Sequence, residues 1–470
     1  MNSERIGFWA GLTVFVVMLL SPSPASMSDQ SWHVAALVIL MATWWMTQAL
    51  PLTVTALLPF IALPLMDVLD AKAVASKYYS PTMFLILGGA FLALAIERTG
   101  LHKRVALAIL GLSGKSSTGL LFAFMIATAL LSMLISNTST SLIMIPIAVA
   151  VLAAGGVKDG ETDGMAGTLV MGIAFAASIG GIGTLVGSPT NAIAAGLINE
   201  QLGIEITFLA WMQFGIPVVL VGIPVCAFIL MRVQNMSASQ FKTDDARKAI
   251  GEPAPWSIPE KRLVPIILLV VLLWMTRSWL APYLPGGSLT DGSVAILGSF
   301  LLFAIPDGGE GKMRPLLNWK EADRAPWGVI MMFGGGLALA AGITASGLAG
   351  WLGEAMRPLA TVHPLIIAAA VVALVIVITE FASNVATATG VIPVIAGLVA
   401  ATGADPWFLA MAASMAASWG FMLPSGTGPN AIAWSTGHIA LPKMLKSGFL
   451  LDLAGIPIMI AACWFIASLF

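Results

Sequence analysis

Apolar stretches of about 17 to 25 residues recur along the whole chain, each long enough for a helix to cross a hydrocarbon core of roughly 30 Å. The 470 residues are 58% hydrophobic and only 10% charged, with a mean hydropathy of +0.94, which excludes an ordinary soluble globular protein. Lys plus Arg number 22 against 23 Asp plus Glu, so no basic excess points to nucleic acid. Cys226 and Cys463 sit inside apolar runs without metal-ligand spacing and read as free core thiols.

The runs predict helices at about 6–20, 33–50, 52–66, 82–97, 168–198, 208–231, 263–280, 292–306, 326–345, 407–434 and 448–470. Arg5, the first apolar run and the small residues of SPSPAS also fit a cleavable signal, but the number of later spans favours a retained first helix. Two further segments, 118–153 and 364–402, are interrupted by the polar clusters SNTSTS and SNVATAT, each followed by a proline, Pro146 and Pro393. Each is too long for one helix and awkward for two, so both read as re-entrant hairpins. The expected fold is an all-α polytopic membrane protein with about 11 transmembrane helices plus two re-entrant hairpins.

Charge orients that arrangement. With the N-terminus in the cytoplasm and the C-terminus outside, Lys72, Lys77, Arg277 and Arg357 fall outside, and the other 18 of the 22 basic residues fall on the cytoplasmic side or at its boundary. The basic loop 232–262 is then cytoplasmic. Short loops point to a bacterial cytoplasmic membrane.

The chain also repeats itself. FLILGGAFLALAIERTGL from Phe84 resembles MMFGGGLALAAGITASGL from Met331, and the same offset of about 247 residues carries Ser136 and Asn137 to Ser383 and Asn384. A slightly shorter offset carries GSPTNAIA at Gly187 to GTGPNAIA at Gly426. The Phe84 helix runs inward and the Met331 helix outward, so this is an inverted repeat, and inverted repeats with broken helices mark secondary transporters. The glycine runs at Gly88 and Gly334 read as close-packing surfaces.

A polar break inside a span must be buried in protein or face water. Free amides at the start of a half-helix attract an anion, while freed carbonyls and Ser, Thr and Asn oxygens suit a small hard cation. One constellation joins Ser132, Ser136, Asn137 and Thr138 to the break at Gly180, Gly181, Gly183, Gly187 and Pro189. The second joins Thr379, Ala382, Ser383 and Asn384 to Gly426, Thr427, Gly428 and Pro429. Neither contains Lys or Arg, so bound Na+ is the natural counter-charge for an anion. Glu380, beside the second tip, is either a proton site or a partner for hairpin backbone. Asp452 and His438 are expected to be exposed at the cytoplasmic interface.

The two Ser-Asn tips, GSPTNAIA, the second PNAIA and the TEFASN run resemble the divalent anion:sodium symporter family of sodium-coupled di- and tricarboxylate carriers, over essentially the whole chain. The resemblance implies an elevator-type homodimer in the cell membrane. Scaffold helices would occupy 1–81 and 208–325, with the cytoplasmic loop 232–262. Transport-domain halves would occupy 82–207, with hairpin 118–153, and 326–447, with hairpin 364–402, before a final transmembrane helix at 448–470. It further implies at least two Na+ sites, at Ser132, Ser136, Asn137 and Gly187 and at Thr379, Ala382, Asn384 and Gly426. The substrate, a small dianion such as succinate, would meet Asn137, Thr138, Ser188, Pro189, Asn384, Val385 and Thr427.

Two positions depart from the family pattern: Val385 replaces a threonine hydroxyl, and Gly428 stands where proline is common. Both weaken one half of the substrate site and leave the sodium residues intact. The competing readings are a sodium-independent dicarboxylate exchanger, a carrier of sulfate or another divalent anion, and an anion channel. An enzyme is disfavoured, because no His-Glu-x-x-His or Gly-x-Ser-x-Gly motif occurs and His33, His102, His363 and His438 all fall near span ends.

Overall fold

The computed structural model describes residues 3–24, 26–236, 241–309 and 314–469. Over those residues it is helical, with one isolated bridge between Pro306 and Pro315. Eight helical segments among them are long and apolar enough to cross a membrane.

Helices α1 (Ser3–Leu20) and α2 (Asp29–Thr47) pack on one another, and Ser28 caps α2 by accepting the Ser31 amide at 3.1 Å. The expected span 52–66 is instead two pieces, α3 (Leu52–Thr55) and α4 (Leu58–Leu65). Pro59 explains the break: its ring excludes the carbonyl of Thr55 four residues back, where α3 stops. A short α5 (Ala71–Lys77), capped by Asp70, leads into α6 (Pro81–Thr99). Gly100, at φ 80°, then turns the chain directly into α7 (Leu101–Gly111).

The first interrupted segment is two helices, α8 (Ser117–Ser132) and α9 (Asn137–Ala154), meeting at a tight tip. The expected span 168–198 is α10 (Met165–Gly181) and α11 (Pro189–Leu202), separated by a non-helical stretch. Next come α12 (Phe208–Val233), α13 (Thr243–Lys248), α14 (Ile258–Leu280) and α15 (Asp291–Ala304).

The second half repeats the plan. Helices α16 (Trp319–Ala322) and α17 (Trp327–Ala345) correspond to α5 and α6, and Gly347, at φ 83°, repeats the turn of Gly100 before α18 (Leu348–Met356). Helices α19 (Pro364–Phe381) and α20 (Asn384–Thr402) form the second hairpin, and α21 (Pro406–Ala416) and α22 (Gly428–Ser435) the second broken span. The chain finishes in α23 (Leu441–Ala467), which begins seven residues before the predicted 448. Lys443 and Lys446 had ended the apolar run, but they occupy the opening turns of α23, where Lys443 pairs with Asp163.

Helices α5, α7, α13, α16 and α18 were not predicted. They are 4 to 11 residues long, below the length at which an apolar run announces a span.

One large apolar core runs through both hairpins and both broken spans, while α2 to α5 and α17 share a smaller one around Leu37, Met41, Trp45, Leu63 and Ile343. The duplicated glycines pack closely. A β-carbon on Gly88 would lie 2.6 Å from the Ala295 β-carbon, and one on Gly335 would lie 2.2 Å from the Ala56 carbonyl oxygen.

Candidate functional site

Each hairpin turns on a serine. Ser136 caps α9 by accepting the Ser139 amide at 3.2 Å, and Ser383 caps α20 by accepting the Ala386 amide at 3.2 Å. Each serine places an asparagine at the first helical position, facing a hydroxyl one turn back on the incoming helix. In the first half the Ser132 hydroxyl lies 2.7 Å from the Asn137 amide and 2.7 Å from the Ala177 carbonyl of α10. In the second half the Thr379 hydroxyl lies 2.9 Å from the Asn384 amide and 2.7 Å from the Ala417 carbonyl beyond α21. The same three-part cluster is therefore built twice.

A hydroxyl has one proton, so each can donate to its carbonyl or to its asparagine, not to both. The atom of the Asn137 amide facing the cluster also lies 3.2 Å from the Ala177 carbonyl and 3.3 Å from the Gly187 carbonyl. Among so many acceptors only two arrangements are satisfied. Either Nδ2 faces inward as a donor, or Oδ1 faces inward and a cation joins the oxygens. An all-oxygen set of neutral hydroxyls, amides and carbonyls is the chemistry a hard monovalent cation takes.

The breaks bring the remaining residues in. Ser188 caps α11 and Thr427 caps α22, each hydroxyl accepting an amide of its own half-helix, with Pro189 and Pro429 in the first turn. Gly187 packs so closely on the first tip that a β-carbon there would be 2.6 Å from the Gly181 carbonyl oxygen and 2.9 Å from that of Ser132. Gly426 sits more loosely, 3.3 Å by the same measure from the Leu423 carbonyl oxygen. The halves interlock, since α11 packs on α20 and α22 packs on α9.

Of the residues singled out from the sequence, Ser132, Asn137 and Gly187 converge on one cluster, and Thr379 and Asn384 on the other. Ser136 does not point at the first cluster. Its hydroxyl caps α9 and lines a cavity of about 250 Å³ together with Ser139, Ser188 and Pro189. Ala382 is buried at the second tip, and Val385 is partly buried against apolar neighbours. Thr138 reaches the other half, against Gly428. Arg324 and Glu97 also line the cavity and pair with each other at 3.1 Å, so the charge of this arginine is already matched.

Sequence reasoning missed three tying residues. Asn191 donates to the carbonyls of Gly181 and Thr184, both at 2.7 Å, and Asn430 donates to the carbonyl of Leu423 at 3.0 Å. These are the asparagines of the duplicated NAIA strings, and the duplication was the signal for them. Thr184 fastens the first break to the tip by donating to the Met133 carbonyl at 2.6 Å. In the second half the polarity is reversed: the Glu380 carboxylate accepts the amides of Phe421, Met422 and Leu423. Glu380 does bind backbone, but that of the second broken span and not, as expected from the sequence, that of its own hairpin.

Asp452 and His438 are not exposed at an interface; they are 6% and 5% exposed. Because α23 starts at Leu441, Asp452 lies 11 residues in, about 16 Å along the helix. The His438 ring Nδ1 lies 2.9 Å from the Glu161 carbonyl oxygen, under the connection between α9 and α10.

A family model described as the sodium:sulfate symporter transmembrane region matches residues 3–470. The chain is 40% identical, over 98% of its length and 91% of the relative, to the sodium-dependent dicarboxylate transporter SdcS of Staphylococcus saprophyticus. It is 39% identical to the protein of the same name from Staphylococcus aureus strain USA300, with the same coverage. Among solved structures it is similar in fold to the YdaH transporter of Alcanivorax borkumensis, with a TM-score of 0.56 and 15% identity over 92% of this chain and 98% of that one.

Proposed function

Because the chain belongs to the sodium:sulfate symporter family, a family of transporters and not of enzymes, we propose that it takes up a C4 dicarboxylate such as succinate together with sodium. The observation that carries this reading is the duplicated cluster of hydroxyl, asparagine amide and freed carbonyl. Each copy stands beside a half-helix N-terminus, and neither ligand set contains Lys or Arg. The names of the relatives support both halves of the reading, the sodium and the dicarboxylate.

In this reading sodium occupies at least two sites, one at Ser132, Asn137 and Gly187 with Ser136 adjoining it at the tip, the other at Thr379, Ala382, Asn384 and Gly426. Sodium draws Asn137 Oδ1 and its counterpart on Asn384 inward, which turns each amide Nδ2 outward as a donor toward a substrate carboxylate. Substrate thus binds best after sodium, and each favours the other. Thr138, Ser188, Pro189, Val385 and Thr427 complete the substrate surface. Net charge on the substrate is offset by the cations and by the amide ends of α9, α11, α20 and α22.

The moving body comprises 82–207 and 326–447 with the re-entrant hairpins 118–153 and 364–402, carried as an elevator against 1–81 and 208–325 in a homodimer. The N-terminus is cytoplasmic, the C-terminus outside, and the membrane bacterial.

The test is uptake of labelled succinate into proteoliposomes under an inward sodium gradient, against potassium outside and against succinate preloaded inside. Sodium-dependent, preload-independent uptake supports the symporter. Uptake that ignores sodium but requires internal dicarboxylate establishes an exchanger and removes the cation assignments. Uptake of sulfate and not of succinate moves the substrate assignment alone.

A further inference from the structure

The cavity of about 250 Å³ beside Ser136, Ser139 and Ser188 runs along one face of α6 from Leu85 to Glu97, about 18 Å of helix. The break of the first half reaches it beside Gly89, where an added β-carbon would lie 2.9 Å from a methyl carbon of Val186. Glu97 stands eight residues further on, about 12 Å along the helix. There it pairs with Arg324 at 3.1 Å, and these two are the charged residues lining the cavity.

Arg324 is loosely held. Its side chain is 63% exposed and, among the described residues, Glu97 engages one of its five N–H donors. The neighbouring arginines are not in that condition. Arg98 donates to the carbonyls of Pro315 and Leu316 and pairs with Asp307 and Glu321, and Arg314 pairs with Glu321 and Asp307. An exposed, singly bonded ion pair gains little from its partner, so Arg324 is the cation here that a ligand can recruit. The offset of about 247 residues between the halves carries Lys77 to Arg324, and Lys77 also pairs with an acid, Glu200 of α11, at 2.5 Å. A cation ahead of the first long helix, matched by one acid, therefore belongs to the duplicated plan.

We propose that Arg324 is a second carboxylate position in this cavity, held in reserve by Glu97, and that it takes the far carboxylate of a dicarboxylate longer than C4. The inference rests on the dicarboxylate reading and extends it. One carboxylate of such a substrate stays at the break, by Ser188 and the amide end of α11, while its methylenes lie on the apolar wall that Ala90, Ala93 and Leu94 form on α6. The other replaces Glu97 at the guanidinium, whose planar fork matches a carboxylate. Succinate anchored at the break does not span the distance to the pair, so it leaves Glu97 in place.

Isothermal titration of the purified full chain in detergent at saturating sodium tests this, with succinate and the C8 dicarboxylate suberate as probes and neither side of the protein closed to them. Arg324→Gln should weaken suberate binding roughly 2- to 5-fold, and Glu97→Gln, which frees the guanidinium, should tighten it by a similar factor. Arg324→Lys should keep most of the wild-type affinity, and succinate binding should move less in all three. The suberate differences should shrink as ionic strength rises. Changes of the same sign in Arg324→Gln and Glu97→Gln, for both acids, would make the pair a structural tie between α6 and the start of α17 and overturn the site. So would suberate binding indifferent to both substitutions, or no suberate binding by a wild type that binds succinate. Failure of the symport reading looks different: the wild type then binds neither acid in a sodium-dependent way, and the inference falls with it.

Discussion

The hydroxyl oxygen of Thr138, in the first hairpin, lies 2.4 Å from where a β-carbon would stand on Gly428, in the second broken span. The two half-sites therefore meet at a point where only glycine leaves room for the threonine. The departure at Gly428 is thus a matter of fit as well as of lost surface: a larger residue there needs Thr138 turned elsewhere.

Replacing Gly428 by alanine should displace the Thr138 hydroxyl and weaken substrate binding. Loss of one hydrogen bond of about 0.5 to 1.5 kcal/mol corresponds to a rise in the KM for succinate of roughly 2- to 13-fold. Concentration-dependent uptake measures this. In a Thr138→Ala background the Gly428→Ala change should have little further effect, because the hydroxyl and methyl that would crowd the new β-carbon are already gone.

Val385 follows Asn384 at the second tip, where its methyls give a carboxylate nothing to bond. Val385→Thr should tighten succinate binding by roughly 2- to 13-fold through the restored hydroxyl. Isothermal titration at saturating sodium reads the change, and an unchanged or weaker affinity refutes the role of this position.

Asn137→Ala should abolish sodium-dependent uptake while leaving the chain folded. It removes the amide that faces the Ser132 hydroxyl and the carbonyls of Ala177 and Gly187. Thermal unfolding should show that the stabilisation of the wild type by sodium is reduced in the variant. Full uptake by Asn137→Ala would take the first hairpin out of the mechanism.

Asn191→Ala should act on stability. It leaves the buried carbonyls of Gly181 and Thr184 without their 2.7 Å donors, at a cost of about 1 to 3 kcal/mol each. Chemical unfolding in detergent tests this, and a change below about 0.5 kcal/mol would mean that the break is held by other contacts.

Asp307 lies in the connection between α15 and α16, where the Gly309 amide and the Arg98 guanidinium hold its carboxyl below the usual carboxylate range. A carboxyl depressed in the folded state contributes stability above its unfolded value of about 3.9, and that contribution is lost as pH falls through the folded value. Asp307→Asn should therefore be less stable than the wild type at neutral pH, with the gap closing under acidic conditions. Melting curves across that range decide it.

The repeat, the two broken spans and the pairing of a hydroxyl with an asparagine in each hairpin were legible in the order of residues. Each is a local pattern: a polar cluster in an apolar run, a Ser at an N-cap, a Pro after it. Less legible were the short helices such as α7 and α18, whose apolar faces are too brief to stand out, and the break at Ala56 and Leu57 inside one apolar run.

By itself the sequence determined that this chain is a helical membrane transporter built of two similar halves, because lipid leaves a helical chain few ways to place polar residues in its interior. Which residues face one another was decided by the tertiary structure alone. Thr138 meets Gly428, the Met422 amide meets the Glu380 carboxylate, and Asn137 meets the Ala177 carbonyl through contacts between residues 40 to 290 positions apart. Such pairings are set by how helices pack, and helical periodicity carries only the face a residue takes, not the neighbour it will find there.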